Sequence, residues 1–142
     1  MNGGKAFFDT NVLLYMYGGA DLDKQTRAKE LYQRYTASRR MLLSTQVVQE
    51  FYAVGRRKLL AIPRSQLQAA TAALLDFPLV TIGPSHILSA MQVEERYGIS
   101  FWDALILAAA ESGGAEVLYT EDLNDGQQYG TVLVRNPFRA ES

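Results

Sequence analysis

The ten residues Phe101-Trp102-Asp103-Ala104-Leu105-Ile106-Leu107-Ala108-Ala109-Ala110 are apolar with a single exception. At 100° per residue their apolar side chains cover the whole helical wheel rather than one stripe, and a helix that is apolar all round has to be buried. Asp103 is therefore expected in the first turn of a buried helix. An ionised carboxylate in a dry interior is costly unless it is paired, protonated or bound to a metal. Ser100 and Asp103 also have the spacing of a capping box, and an acid in the first turn suits the positive end of a helix. The usual acid of that box is Glu, so Asp fits it imperfectly. Capping and a site role are compatible, and this stretch alone does not choose between them.

The chain has 142 residues, 48% hydrophobic and 20% charged, the size and balance of one globular domain with a sizeable core. The expectation is a single domain over 1–142, with a frayed tail from about 137. No apolar run reaches the roughly 18 residues of a membrane span. Met1-Asn2-Gly3-Gly4-Lys5 leads straight into an apolar strand pattern without a signal-peptide core. There is no cysteine, which excludes disulfides, thiolate metal sites and cysteine nucleophiles. These features fit a cytoplasmic protein without a membrane partner. The net charge of −1 hides an asymmetry: residues 1–71 carry 11 Lys and Arg against 5 Asp and Glu, whereas residues 72–142 carry 3 against 10. A basic half can attract polyanions while an acidic half supplies carboxylates.

Taken in order, Ala6-Phe7-Phe8 reads as a buried strand, 9–11 as a turn, and 12–17 as a short helix closed by Gly18-Gly19. Asp21 or Asp23 caps a helix over about 23–37. Met41-Leu42-Leu43 is a second strand, and Ser44 or Thr45 caps a helix over about 45–59. In that helix Glu50 lies at the edge of the Val47, Phe51, Val54 stripe. Arg56-Arg57-Lys58 closes it, as helix-end charges or as phosphate contacts. Pro63 suits the first turn of a helix over about 63–75 with Leu67, Ala70 and Leu74 inward. Leu79 to Ile82 is a third strand. The helix over 85–97 is expected to turn Ile87, Leu88 and Met91 inward, with His86, the only histidine, at the surface. After the Asp103 helix, Val117-Leu118-Tyr119 and Thr131 to Val134 are the fourth and fifth strands, joined by the acidic segment 120–126.

Strands alternating with helices imply an α/β fold, a mostly parallel sheet of about five strands covered on both faces. Sites in such sheets form beyond the C-terminal strand ends. Asp9 and Asp122 lie at such ends, Glu50 near the start of the helix after strand two, and Asp103 in a first helical turn. Four carboxylates in one cleft repel unless they are protonated or bind cations. An oxygen-only set without Cys or a second His suits Mg²⁺ or Mn²⁺, which can clamp a phosphodiester and acidify a bound water.

These residues resemble the PIN-domain nucleases. Phe8-Asp9-Thr10-Asn11-Val12-Leu13 is similar to that family's opening motif. Glu50, within Thr45-Gln46-Val47-Val48-Gln49-Glu50-Phe51-Tyr52, is similar to its second acid. Ser100-Phe101-Trp102-Asp103-Ala104 is similar to its third-acid motif, and Leu118-Tyr119-Thr120-Glu121-Asp122-Leu123 to its fourth. Each motif is weak alone; the four in order are fairly specific, and the compact length resembles VapC-type toxins of toxin–antitoxin pairs.

The resemblance implies a three-layer α/β/α fold and a Mg²⁺-dependent endoribonuclease, with Mn²⁺ able to substitute, in which a metal-activated water attacks an RNA phosphodiester. Asp9, Glu50, Asp103 and Asp122 would be the catalytic acids. Asp9 and Asp103 would be the principal metal ligands, and Glu50 and Asp122 would act directly or through water. Thr10, Asn11 and Thr120 would support them, Thr120 orienting water or a phosphate oxygen. Arg56, Arg57 and Lys58 are the RNA-contact candidates. A homodimer and a small cognate antitoxin are further implications. The alignment of Asp125 with the family is open. The runner-up is a stand-alone RNA-processing or DNA-acting nuclease. A phosphoacceptor receiver domain would need an acidic pair after strand one and a late lysine, but Asp9 stands alone and no lysine follows Lys58. A catalytically silent PIN-like binding module is disfavoured by the presence of all four acids.

Overall fold

The computed structural model describes residues 4–139. Its strands are β1 (Lys5–Phe8), β2 (Met41–Ser44), β3 (Leu79–Val80), β4 (Ala115–Tyr119), β5 (Gln128–Tyr129) and β6 (Val132–Arg135). Its helices are α1 (Thr10–Tyr15), α2 (Leu22–Ala37), α3 (Thr45–Lys58), α4 (Arg64–Leu74), α5 (Pro84–Tyr97) and α6 (Phe101–Ser112). The strands form one sheet in the order β3-β2-β1-β4-β6-β5, parallel except for the β5–β6 pair.

The chain winds outward from β1 through α1–α2 to β2 and through α3–α4 to β3. It then returns by α5–α6 to β4 on the other side of β1. Right-handed crossovers put helices of the outward and return paths on opposite faces. α1, α2, α3 and α4 accordingly pack among themselves, and α6 lies against β2, β3, β4 and β6 with α5 on its back. The central strands are buried on both faces, so they read as continuous apolar runs. Phe7, Phe8, Leu43 and Leu118 are fully buried. The order reverses between β1 and β4, and their C-terminal ends open one crevice.

Local chemistry sets most boundaries. The Asp21 carboxylate accepts from the Asp23 and Lys24 N–H groups at 3.1 Å and starts α2. Ser44 caps α3 through Val47 N–H, and Gly98 at φ 64° ends α5 in the left-handed conformation that glycine tolerates. Asp9 itself caps α1, which begins at Thr10 rather than after a turn at 9–11 and ends at Tyr15.

The structure corrects several sequence expectations. The sheet has a sixth strand, because Gln128–Tyr129 folds back on β6 through a tight turn at Gly130, φ 60°. β3 stops at Val80 rather than Ile82. On α5, Ile87, Leu88 and Met91 point outward, 45%, 59% and 47% exposed, while Ala90 is fully buried. The reason is that α5 packs on α6, not on the sheet: Ala90 sits against Ala104, Leu105 and Ala108, where small side chains permit close approach. His86 is no bare surface residue. Its Nδ1 accepts from Gly83 N–H at 3.0 Å, closing the N-terminus of α5, and its Nε2 meets Ser112 Oγ at 2.9 Å.

α6 is buried as its composition requires from Ala104 to Ala110. Its first turn is not: Trp102 is 62% exposed and Asp103 half-buried, because this end reaches past the sheet to the crevice rim. At the other end, Gly113 allows the helix to close on the sheet. A Cβ there would lie 2.5 Å from Leu42 Cδ2 and 2.8 Å from Val80 Cγ2. Gly113→Ala is therefore expected to cost roughly 1–3 kcal/mol by overpacking. Thermal unfolding checks this: the variant should melt several degrees lower, and an unchanged melting point would show that the contact relaxes freely.

Of the expected tail, residues 137–139 are described. The Phe138 ring packs edge-on against Tyr15, and the Arg139 carbonyl accepts from Arg27. Residues 140–142 lie outside the described residues. No helix among the described residues is long and apolar enough to cross a membrane.

Candidate active site

β1 delivers Asp9 to the crevice and β4 delivers Thr120; the two strands are joined there by a backbone bond from Asp9 N–H to the Tyr119 carbonyl at 3.0 Å. Asp9 is 5% exposed. Its Oδ1 accepts from Thr10 N–H at 2.7 Å and its Oδ2 from the Thr120 hydroxyl at 2.7 Å. The Thr120 oxygen in turn accepts from Asp122 N–H at 3.1 Å. The Thr10 hydroxyl donates to Glu50 Oε1 at 3.0 Å. Thr10 thus ties Asp9 to Glu50, and Thr120 ties Asp9 to the Asp122 backbone. Asn11 follows in the first turn of α1, partly buried.

The four acids feel one another. Burial pushes the Asp9 carboxyl up to about 7, against the Thr120 and Thr10 hydrogen bonds, and the charges of Asp122 and Asp103 raise it further. Burial also raises Glu50; the Thr10 bond opposes this, Asp103 adds to it, and Gln46 opposes it. Asp103 is raised by burial, lowered by the Ser100 hydroxyl and raised by Asp122. Desolvation and like charge favour the neutral acid in each case. Through Thr10 and Thr120 the structure ties Asp9 to Glu50 and to the Asp122 backbone, and the charges of Asp103 and Asp122 reach Asp9.

The cap bond itself does not need the Asp103 side chain, although the Ser100 hydroxyl also favours its carboxylate. Ser100 Oγ accepts from the backbone N–H of Asp103 at 3.1 Å, so any residue other than proline at 103 could supply that donor. Asp125, whose alignment was open, does not act on the raised acids. It accepts from Asn136 N–H at 2.8 Å and pairs with Arg139 at 3.9 Å, pinning the acidic loop to the exit of β6. Arg56, Arg57 and Lys58 are all exposed at the end of α3, with the Arg56 guanidinium 5.6 Å from the Tyr52 ring centroid.

Sequence reasoning missed three groups of supporting residues. Glu121 accepts from the Tyr15 hydroxyl at 2.7 Å and from Lys24 Nζ at 2.8 Å. Lys24 also sits over the Tyr15 and Phe138 rings. This cluster fixes the residue between Thr120 and Asp122. Gln46 is buried one turn before Glu50; its Nε2 donates to the Trp102 carbonyl at 3.3 Å, joining α3 to the α6 end, while its Oε1 has no partner. The Arg135 carbonyl accepts from Thr120 N–H at 3.1 Å. The only signal for Gln46 was its i−4 spacing from Glu50; the others had none.

A divalent cation fits this donor set in kind. The side chains are hard oxygen donors, burial and the charges of Asp122 and Asp103 push the Asp9 carboxyl up to about 7, and a buried amide oxygen, Gln46 Oε1, stands unpartnered. Among the described residues no three acids are close enough to form a complete cage. A hard cation here would be held by one or two carboxylates and completed by water.

A search of curated protein sequences finds no match. Among solved structures, the chain is similar to a toxin–antitoxin complex from Klebsiella pneumoniae, with TM-score 0.70 and 22% identity over 94% of this chain and 98% of that one. It is also similar to DNA-bound VapBC from Salmonella typhimurium, with TM-score 0.67 and 17% identity over 94% and 98%. A third is VapC20 of Mycobacterium tuberculosis, a toxin that cleaves the sarcin–ricin loop, with TM-score 0.66 and 22% identity over 83% and 90%. These likenesses establish the fold. A model of the PIN domain matches residues 6–125, most of the chain, and the chain belongs to the PIN-domain family.

Proposed function

We propose that this protein is a metal-dependent endoribonuclease, and that it is the toxin of a type II toxin–antitoxin pair acting in the cytoplasm. The observation that carries the nuclease reading is the buried Asp9, held on both oxygens by Thr10 and Thr120 and sharing its mouth with Asp103, Asp122 and Glu50. Asp9 and Asp103 would hold the ion, with Glu50 and Asp122 direct or through water. Bound there, Mg²⁺ or Mn²⁺ lowers the pKa of a water and offsets charge on the phosphate and leaving oxygen. The residues of this chain do the rest. The two threonines fix the Asp9 carboxylate so that it does not rotate away, and the Thr10 hydroxyl orients Glu50. Glu50 and Asp122 would take up a proton from a water attacking the phosphorus. Arg56, Arg57 and Lys58, exposed at the end of α3, are the candidate phosphate contacts.

The toxin reading rests on the fold shared with toxin–antitoxin complexes. It adds a homodimer and a small antitoxin that covers the crevice. Its test is a neighbouring gene product that co-purifies with this protein and blocks cleavage. The nuclease test is direct. Single-stranded RNA should be cut internally with Mg²⁺ or Mn²⁺, cutting should stop with EDTA, and excess Mg²⁺ should restore it. Full activity in EDTA would sink the metal mechanism.

A further inference from the structure

An open cleft of about 1170 Å³ runs between α2 and β6, on the face of the sheet that carries α2. Its origin is in the strand register. Phe8, Tyr119 and Arg135 are successive partners across β1, β4 and β6, so their side chains share that face. Tyr35 of α2 packs edge-on against Phe8 at 5.8 Å and lies 5.6 Å from Tyr119. The helix thus covers the first two, and the cleft opens along Tyr119 and Arg135. Arg27 and Arg34 line it from α2, Arg135 and Arg139 from β6 and its exit.

The four arginines are not equivalent. Arg27 pairs with Asp23 at 3.7 Å and Arg139 with Asp125 at 3.9 Å. Arg34 and Arg135 meet no carboxylate within 4 Å among the described residues, although Glu30, one turn from Arg34, and Asp125 line the same cleft. Two exposed guanidinium groups facing one groove form a site for successive phosphates, which Arg binds in bidentate fashion. The cleft also leads to the acids. Arg135 bonds through its carbonyl to Thr120 N–H, and Thr120 bonds to Asp9. A guanidinium nitrogen of Arg135 lies 3.6 Å from where a Cβ on Gly126 would be, beside the acidic loop. A strand whose scissile phosphate sits among the acids would find, one residue beyond Thr120 in the sheet, a groove with four arginines against Glu30 and Asp125, separate from Arg56, Arg57 and Lys58 on α3.

We propose that the α2–β6 cleft is a binding track for the phosphodiester backbone of single-stranded RNA, with Arg34 and Arg135 as its phosphate contacts. The proposal deepens the nuclease reading and rests on it for the direction of the strand. Its test reads binding alone, by anisotropy of a labelled RNA of about 12 nucleotides in EDTA, titrated over a range of salt. Each lost phosphate contact removes about 0.7 from the slope of log K against log salt for a single strand. Arg34→Gln with Arg135→Gln is expected to weaken binding roughly tenfold at low salt and reduce the slope by about 1.4. The melting temperature should be unchanged. Arg34→Glu with Arg135→Glu should weaken binding further. A charge-matched control, Lys29→Glu with Arg64→Glu, alters exposed cations outside the cleft and should leave the slope near wild type.

An unchanged slope in the cleft variants, an equal loss in the control, or no RNA binding by the wild type at low salt each overturns the track. Cleavage measured separately with Mg²⁺ keeps the two readings apart. Cleft-dependent binding without cleavage removes the nuclease reading and leaves the track. Cleavage with unaltered binding in the cleft variants removes the track alone.

Discussion

Asp9→Asn should abolish metal-dependent cleavage, by at least about 100-fold, while making the metal-free protein more stable at pH 8. The amide keeps one acceptor for Thr10 N–H, and the Thr120 hydroxyl can turn to accept from the new NH₂ group, so the local bonds survive. What disappears is a buried charge. The Asp9 carboxyl is pushed from 3.8 up to about 7 by burial. The folded state therefore holds a proton that the unfolded state has already released. Stability from this group is fully present below pH 3.8 and declines as pH rises. The loss is complete about a unit above pH 7 and, at about 1.4 kcal/mol per pKa unit, is on the order of 4–5 kcal/mol. Asn has no such dependence. The gain on substitution should thus be smallest near pH 4, grow through pH 7 and then level off. Saturating Mg²⁺ should stabilise the wild type at pH 8 and leave the variant unmoved, since only a state that binds the ion gains by mass action. Melting curves from pH 4 to pH 8, with and without Mg²⁺, decide it. A variant that melts below wild type at pH 8 without metal would mean that Asp9 is a structural anchor first.

Asp103→Asn separates a ligand from a cap. The cap bond runs from the Asp103 backbone N–H to Ser100 Oγ, so the variant keeps it, and α6 retains its buried stretch from Ala104 to Ala110. Stability without metal should change by less than about 1 kcal/mol, and upward if at all, because a half-buried charge facing Asp122 is removed. Cleavage should fall by about 100-fold or more, and the Mg²⁺-induced rise in melting temperature should vanish with it. The two readouts must move together. Near-wild-type cleavage with an intact Mg²⁺ shift would take Asp103 out of the site. A large loss of stability would restore the capping role that the hydrogen bonds assign to the backbone.

The parallel α/β architecture and the positions of the four acids were legible in the sequence. Buried central strands appear as unbroken apolar runs, helices show their 3.6-residue period, and Asp, Ser and Gly mark the ends. Asp9 follows β1, Asp122 follows β4 by three residues, and Asp103 opens the most apolar helix of the chain. Each is a statement about neighbours in sequence. The outward face of α5 was misread because periodicity identifies an apolar stripe without naming its partner. The bulky set Ile87, Leu88 and Met91 was the stronger pattern, but contact with α6 selects the side with Ala90, where the backbones approach. β5 escaped notice because two residues carry no period.

Only the tertiary structure decided how the acids are held. Thr120 and Asp9 are 111 residues apart, Tyr15 and Glu121 106, and Lys24 and Glu121 97. Strand order makes each of these pairs adjacent, since β1 and β4 are neighbours in the sheet although three crossovers separate them in the chain. The same order sets Arg135 beside Tyr119 and leaves a groove next to α2. The sequence by itself determined which residues are acids at strand ends. The burial of Asp9, the Thr120 bond that holds it and the Lys24–Glu121 pair beside it follow from contacts between distant segments. Such contacts leave no periodic trace, because the energy that fixes them depends on distance in space and not along the chain.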